Sequence, residues 1–347
     1  MGSEIPMVTV IVPLYNVEPY VAQCIQSLRD QTWTDFEAIC VDDGSSDASL
    51  EVARATAGDD PRFRFLKQPE NRGQSAARNL ALDHARGTYA VNLDADDYYV
   101  PDALERLVAC VQADDLDLLF FAASTFYETR ELHRTHPEMQ DNRADIPGVM
   151  TGRQIYVEFE RTDAFRPSAC MFMVRRDLIE RGGLRFEEGI IHEDLLFTMQ
   201  VFPLAQRAAF LNESLYRRRM RPGSTMTTER GIKNVQGLFT VARRLEGWFE
   251  ANRPDLPRDF RDAFCHRLFA TWEIIARDLP DLDPLVVEEY RDGLSEEDRD
   301  AFNLHVYDFA RVLDDAYKSV LGSRTYRVGH AITVLPMWVR NRVKLPD

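Results

Sequence analysis

Tyr89-Ala90-Val91-Asn92-Leu93-Asp94-Ala95-Asp96-Asp97 runs from an apolar, strand-like stretch into three carboxylates within four residues. Acids this crowded repel one another, and a core does not tolerate them unpaired. A bound divalent cation is the simplest relief, because carboxylate oxygens suit hard metals such as Mg or Mn. A second acidic pair, Asp42-Asp43, follows the apolar run Ala38-Ile39-Cys40-Val41 and leads into Gly44-Ser45-Ser46-Asp47. Taken singly, each cluster also reads as a solvated turn rich in Asp and Gly. Two acidic strand ends in one alternating pattern point instead to a single crevice at the carboxyl edge of one sheet.

Outward from these strands, residues 7–122 alternate strand and helix signals with short connections. Strands are expected at 8–12, 37–41, 63–66, 89–93 and 116–122. Helices are expected at 20–30, where Val21, Cys24, Ile25 and Leu28 share a face, and at 46–56 with Ser46 as its cap. Two more are expected at 74–85 and 101–112, the latter with Pro101 in its first turn. This order implies an α/β fold, a mostly parallel sheet with helices on both faces. Residues 124–166 read as an irregular insertion over the sheet edge, followed by a strand at 169–174. His192-Glu193-Asp194 opens an apolar helix, Leu215 to Arg219 reads as a last strand, and Arg221-Pro222-Gly223-Ser224 as a loop. Beyond Arg230 the pattern is helical, near 232–251, 258–277 and 299–320, which sets a domain boundary at 228: residues 1–228, then 229–347.

At 347 residues, with 45% hydrophobic and 29% charged residues, the composition is that of a soluble folded protein. The net charge of -15 argues against nucleic acid as a partner. Positive charge concentrates at Arg217, Arg218, Arg219 and Arg221 and in the tail after Ala316. Cys24, Cys40, Cys110, Cys170 and Cys265 are scattered with no zinc-like spacing, so they read as reduced core residues. Met1 to Ile5 lacks the features of a signal peptide, and no apolar run is long enough to span a bilayer. A cytoplasmic protein is expected.

The first strand ends in Pro13-Leu14-Tyr15-Asn16, without the GxGxxG of a dinucleotide fold or the GxxxxGK[ST] of a P-loop. An aspartyl phosphatase would carry its acids on the first strand, and a sugar-activating nucleotidyltransferase would carry a Gly-rich first loop. Any nucleotide must therefore be held by acids and a metal. Val8 to Asn16, Gln31-Thr32, Val41 to Asp47, Asn71-Arg72-Gly73, Ala77-Arg78-Asn79, Leu93 to Asp97 and Glu193-Asp194 together resemble family 2 glycosyltransferases of the GT-A fold. The resemblance covers roughly residues 7–228 and is to the bacterial polysaccharide-assembling type. It implies a Rossmann-like, mostly parallel mixed sheet flanked by helices, here with a C-terminal helical extension.

The resemblance also implies roles. Asp43 matches an acceptor for the uracil N3–H of a UDP-sugar, Pro13, Tyr15 and Glu18 match residues lining base and ribose, and Arg78 matches a basic position near the diphosphate. Asp94 and Asp96 form the DxD element, Asp94 toward ribose and sugar and Asp96 toward the metal, whereas Asp97 reads as a cap or turn acid. Asp194 matches the general base of inverting members, with Glu193 as the neighbouring candidate. Consecutive helical residues point about 100° apart, so only one of them faces an acceptor, and Asp194 is preferred. Arg217, Arg218, Arg219 and Arg221 are candidates for the leaving diphosphate. On a strand alternate side chains face opposite ways, so at most two reach it; Arg219 is taken as one.

The expected activity is transfer of a sugar from a nucleotide-sugar, UDP-linked, to a saccharide or lipid-linked acceptor hydroxyl in cell-surface polysaccharide synthesis, with Mn or Mg. The alternative is a catalytically silent GT-A scaffold, against which the four acids Asp43, Asp94, Asp96 and Asp194 speak. The tail from Ser323 to Val339 mixes cations, aliphatics and Trp338. It reads either as a peripheral membrane contact or as a segment docked on the helical part.

Overall fold

The computed structural model describes residues 5–136, 145–224, 227 and 231–308. The described chain divides into two compact units, one of residues 1–229 with 243–267, the other of 230–242 with 268–347. The first unit is built on an eight-stranded sheet: β1 (Val8–Leu14), β2 (Phe36–Asp42), β3 (Phe63–Lys67), β4 (Tyr89–Asn92), β5 (Tyr98–Tyr99), β6 (Leu118–Tyr127), β7 (Phe172–Arg175) and β8 (Ala208–Met220). Their order is β3-β2-β1-β4-β7-β6-β8-β5.

β1, β2, β3 and β4 are mutually parallel, and β6 and β8 form a further parallel pair; β7 runs antiparallel to β4 and β6, and β5 antiparallel to β8. The sheet is therefore mixed, with the GT-A expectation of a parallel half intact. β1 and β2 are buried along nearly their whole length, as strands covered on both faces should be. Strand order reverses at β1, with β2 on one side and β4 on the other, and ligands of open α/β sheets bind at the carboxyl ends of such a switch point. Pro13, Asp43 and Asp94 lie at those ends.

β8 is longer than the expected 215–219. Its pairing with β6 shifts register around Ala122, a bulge that turns residues 214–220 alongside Ala122 to Tyr127. The same half of β8 pairs with β5, placing Tyr216 opposite Tyr99 and Arg217 opposite Tyr98 directly after the acidic turn.

The described parts of the stretch 124–166 include helices at Arg130–Thr135 and Gly152–Arg161, which its polar composition did not suggest. The second opens with a full capping box between Thr151 and Gln154. Ser46 is not a cap: its N–H and hydroxyl go to Asn16 Oδ1, and the helix begins at Ser49. Cys24, Cys40 and Cys170 are buried and Cys265 is exposed; all five cysteines are free. The second unit packs Val235, Leu238 and Phe239 against Trp272, Ile275 and Phe302. The basic, apolar tail from Ser323 and most of the expected 299–320 helix lie outside the described residues. Among the described residues no helix is long and apolar enough to cross a membrane.

Candidate active site

Asp43 follows β2 immediately. The next residue, Gly44, has φ +71°, and a Cβ there would sit 2.7 Å from Asn71 N and from Glu70 C, so only glycine lets this loop lie against residues 70–71. Asp43 is then in reach of the loop ahead of the Gln74–His84 helix. Its carboxylate accepts the Arg72 and Gly73 N–H groups and Gln68 Nε2, each at 2.8 Å. A carboxylate offers about four acceptor positions, so one more donor can be received. Burial raises its pKa, opposed by the two backbone N–H groups. Nearby, Pro13 is half-buried at the end of β1, Tyr15 is exposed, and Glu18 Oε2 accepts Ala48 N–H at 3.0 Å, tying the Asp43 loop to the first helix.

Gln74 and Arg78 stand one turn apart on their helix and so share a face. Both donate to Glu193 Oε1, at 2.6 and 2.7 Å. Arg78 Nη2 also donates to Asp94 Oδ1 at 2.9 Å, and the Phe186 ring lies 5.3 Å from its guanidinium. Arg78 is only 3% exposed, and its Nε is buried without a partner. Burial disfavours its charge, yet Asp94 and Glu193 hold it firmly cationic. One buried side chain thus joins the acid after β4 to the head of the Glu193–Val201 helix.

Glu193 is buried and turned toward Arg78 and Gln74, while Asp194 is half-buried and accepts the Leu195 N–H at 2.8 Å. Burial raises the pKa of both. That of Asp194 is pushed up to about 6, with Arg78 pulling the other way. His192, just before them, has φ +69°, a left-handed conformation unusual for a non-glycine residue and of the kind that gathers at functional sites. The approach to this helix is clamped by Asn79, whose Oδ1 accepts Phe186 N–H at 2.8 Å and whose Nδ2 donates to Phe186 O at 2.9 Å.

The far side of the acidic turn is braced by β8. Asp97 is buried and receives Tyr216 Oη at 2.5 Å and Arg219 N–H at 2.6 Å. It acts as a turn acid, and its pKa is driven far up by burial and by Asp96 and Asp94. Arg219 donates Nε to Asp96 O at 2.8 Å, Nη2 to Gln23 and Nη1 to Glu128, with its guanidinium between the Tyr20 and Phe126 rings. Arg217 reaches Ser124 and Arg218 reaches Met171. Arg221 is the member of the cluster bonded to an acid of the DxD element, Nε to Asp96 Oδ2 at 2.7 Å. Burial and Asp94 raise the pKa of Asp96, and Arg221 lowers it.

The structure therefore gathers Asp94, Arg78 and Glu193 into one network, with Asp194 next to Glu193 and within electrostatic reach of Arg78, and Asp96, Asp97, Arg219 and Arg221 into another, joined through the turn itself. Asp43 is linked through Gly73 to the start of the Arg78 helix. Gln74 and Tyr216 are participants the sequence did not single out, and Asn79, quoted among the family motifs, had no role assigned to it. Gln74 carried a signal, sitting four residues before Arg78; Tyr216 carried none beyond lying in a strand.

Among the described residues no three His, Cys, Asp or Glu side chains converge on a cation position. Asp94 and Asp96 each give one carboxylate oxygen to an arginine. Oxygens from two acids fit a hard cation that completes its shell from phosphates and water, the usual manner of Mg binding.

A family model described as Glycosyl transferase family 2 matches residues 9–183. The Bacillus subtilis glycosyltransferase EpsJ is 38% identical over 223 residues, 63% of either chain. The Escherichia coli glycosyltransferase YibD is 34% identical over 236 residues, 68% of either chain. Residues 1–349 of Staphylococcus aureus TarS, solved with UDP-GlcNAc, match with a TM-score of 0.59 at 21% identity, over 87% of this chain and 80% of that one. The mannosyltransferase PcManGT of Pyrobaculum calidifontis, solved with GDP-Man and Mn2+, matches with a TM-score of 0.54 at 18% identity, over 91% and 88%. These structures share the GT-A fold. On the strength of the matched motifs and the alignment spanning half its length, the chain belongs to glycosyl transferase family 2.

Proposed function

We propose that the chain is a metal-dependent inverting glycosyltransferase that moves a sugar from a UDP-linked donor to a hydroxyl of a saccharide or lipid-linked acceptor. Its setting is cell-surface polysaccharide synthesis, in the cytoplasm or peripherally on the inner face of the membrane. Residues 1–228 form the nucleotide-sugar-binding catalytic domain, and 229–347 the helical extension. Pro13, Tyr15, Glu18 and Asp43 receive the nucleoside, Asp43 with its remaining acceptor position. Arg78 and Arg221 face the diphosphate side, and Arg219 keeps the turn carrying Asp96 in shape. Asp94 and Asp96 would hold Mn or Mg, which when bound supplies positive charge to the departing diphosphate.

Asp194 removes the acceptor proton. A carboxylate with a pKa of about 6 is ionised at neutral pH yet more basic than a solvated acid, the compromise general-base catalysis requires. Glu193 positions Arg78 instead of taking the proton. The observation that carries this reading is the buried Arg78, which bridges Asp94 and Glu193 and so sets the donor acid at a fixed offset from the acceptor base. The TarS and PcManGT complexes support a nucleotide-sugar in such a fold, with UDP in one and GDP in the other.

The test is nucleotide release from a panel of UDP-sugars, with GDP-mannose for comparison, with and without Mn. Asp194→Asn should stop turnover while retaining donor binding, and Asp96→Ala should lose both. Absence of release and of binding across the panel would favour the silent scaffold.

A further inference from the structure

Arg221 stands at the junction of β8 and Pro222-Gly223-Ser224; Thr227 Oγ1 donates to Arg221 O at 2.8 Å, and Ser224 N–H donates to Thr227 Oγ1 at 3.1 Å. The Arg221 side chain is 17% exposed and that of Asp96 18%, so the pair is screened only partly by water. Arg221 contacts Asp96 Oδ2 and the Tyr20 ring, 5.0 Å from its guanidinium. Arg219 covers the same ring from 4.9 Å. At Asp96 the two arginines divide the residue: Arg219 holds its backbone carbonyl, whereas Arg221 holds the carboxylate itself.

From this geometry we infer that Arg221 is an internal competitor for the cation assigned to Asp96. The inference rests on the proposed function and deepens it. A guanidinium on Oδ2 neutralises Asp96 and repels a divalent ion approaching the same carboxylate, and in a half-dry site such repulsion is far stronger than in bulk water. Asp94 does not remove the competition, because its own Oδ1 is held by the buried Arg78. Cation binding therefore weakens the Arg221–Asp96 pair, and the released guanidinium becomes available to the incoming diphosphate. Because Pro222-Gly223-Ser224 follows directly, release of Arg221 frees one anchor of that loop. Cation and nucleotide-sugar then bind with positive coupling, each favouring the state in which Arg221 has left Asp96.

The competition makes a prediction of opposite signs, which a merely structural arginine does not give. Mn2+ affinity is measured on the full-length protein by electron paramagnetic resonance, counting free Mn2+ first without nucleotide and then with saturating UDP. Arg221→Met should tighten Mn2+ binding without nucleotide by about five- to tenfold, within the range of coupled sites. The same variant should weaken UDP binding in the presence of Mn2+ by a similar factor. Arg221→Lys, which keeps the charge, should behave like wild type in both assays, and it separates charge from folding should the Met variant prove unstable. An Arg221→Met protein that binds Mn2+ no more tightly than wild type without nucleotide overturns the inference while leaving the cation site standing. Failure of wild type to bind Mn2+ even with UDP overturns the cation assignment beneath it.

Discussion

The two ends of the central strands carry buried acids of opposite character. At the amino end, Glu37 of β2 is buried and fully served: Thr9 Oγ1 donates at 2.9 Å, Arg86 N–H at 2.6 Å, Arg86 Nε at 3.0 Å and Arg86 Nη2 at 2.8 Å. Burial alone would raise its pKa, but these donors overcome it and hold the carboxyl below its ordinary value. At the carboxyl end, Asp43, Asp96, Asp97, Glu193 and Asp194 are all raised, burial being the largest cause in each. The same sheet thus supports one acid that stabilises the fold as an anion and five whose charge the fold resists. Groups held at such cost collect where chemistry is done.

The contrast is open to direct attack. The largest effect is expected at the carboxyl end: Asp194→Asn should lower turnover about 10³-fold, the typical worth of a general base, without loss of folded protein by circular dichroism. At the amino end the outcome should invert. Glu37→Ala should cost about 3 kcal/mol in urea unfolding, because it strands Thr9 and the Arg86 N–H, yet leave turnover per folded molecule near wild type. A Glu37 variant of full stability and no activity would erase the distinction.

Between these lies Tyr216→Phe, which removes the donor to buried Asp97 and should cost about 2 kcal/mol. It should also loosen the turn carrying Asp96, so apparent Mn affinity should fall alongside stability.

The smallest effect concerns pH. Asp194 rises from an ordinary 3.8 to about 6, so the folded state binds its proton more tightly than the unfolded state. Its contribution to stability is therefore favourable at low pH and is lost as pH rises from about 4 to about 6. Glu37 runs the other way, its contribution present above the unfolded value and lost on acidification. Asp194→Asn should accordingly raise unfolding free energy at pH 7.5 by on the order of 1 kcal/mol even as its turnover falls. The acid limb of wild-type kcat/KM should fall near pH 6, measured as UDP release across pH 5–8.

Much of the parallel half was legible because its signals are local. Val8 to Val12, apolar apart from Thr9, and the wholly apolar Ala38 to Val41 are bounded by Pro13 and Asp42-Asp43, and buried parallel strands are written that way. What the sequence withheld depends on distant partners. Ser46 looked like a helix cap, but Asn16 engages it from another loop. The Thr151–Gln154 capping box was present in the sequence and lost among polar neighbours. β8 exceeds the strand expected at 215–219 because the polar run Asn212-Glu213-Ser214 breaks its apolar pattern, just where the bulge near Ala122 shifts the register. Within the site, Asp43 and the Asp94 to Asp97 turn stood out at strand ends and Glu193-Asp194 through the family resemblance, but their partners could not be read. No pattern says that Arg219 is taken up by Asp96 O, Gln23 and Glu128, or that Arg221 reaches the Asp96 carboxylate.

Acids from three separate elements serve one nucleotide-sugar, and ligand-induced stabilisation measures this without knowledge of the acceptor. Wild type, Asp43→Asn and Asp96→Ala are each melted with and without UDP and Mn. Wild type should gain about 2.7 kcal/mol at a hundredfold excess over Kd, and each variant should lose most of that gain. An undiminished gain in both variants would show that the nucleotide binds elsewhere and would contradict the shared site.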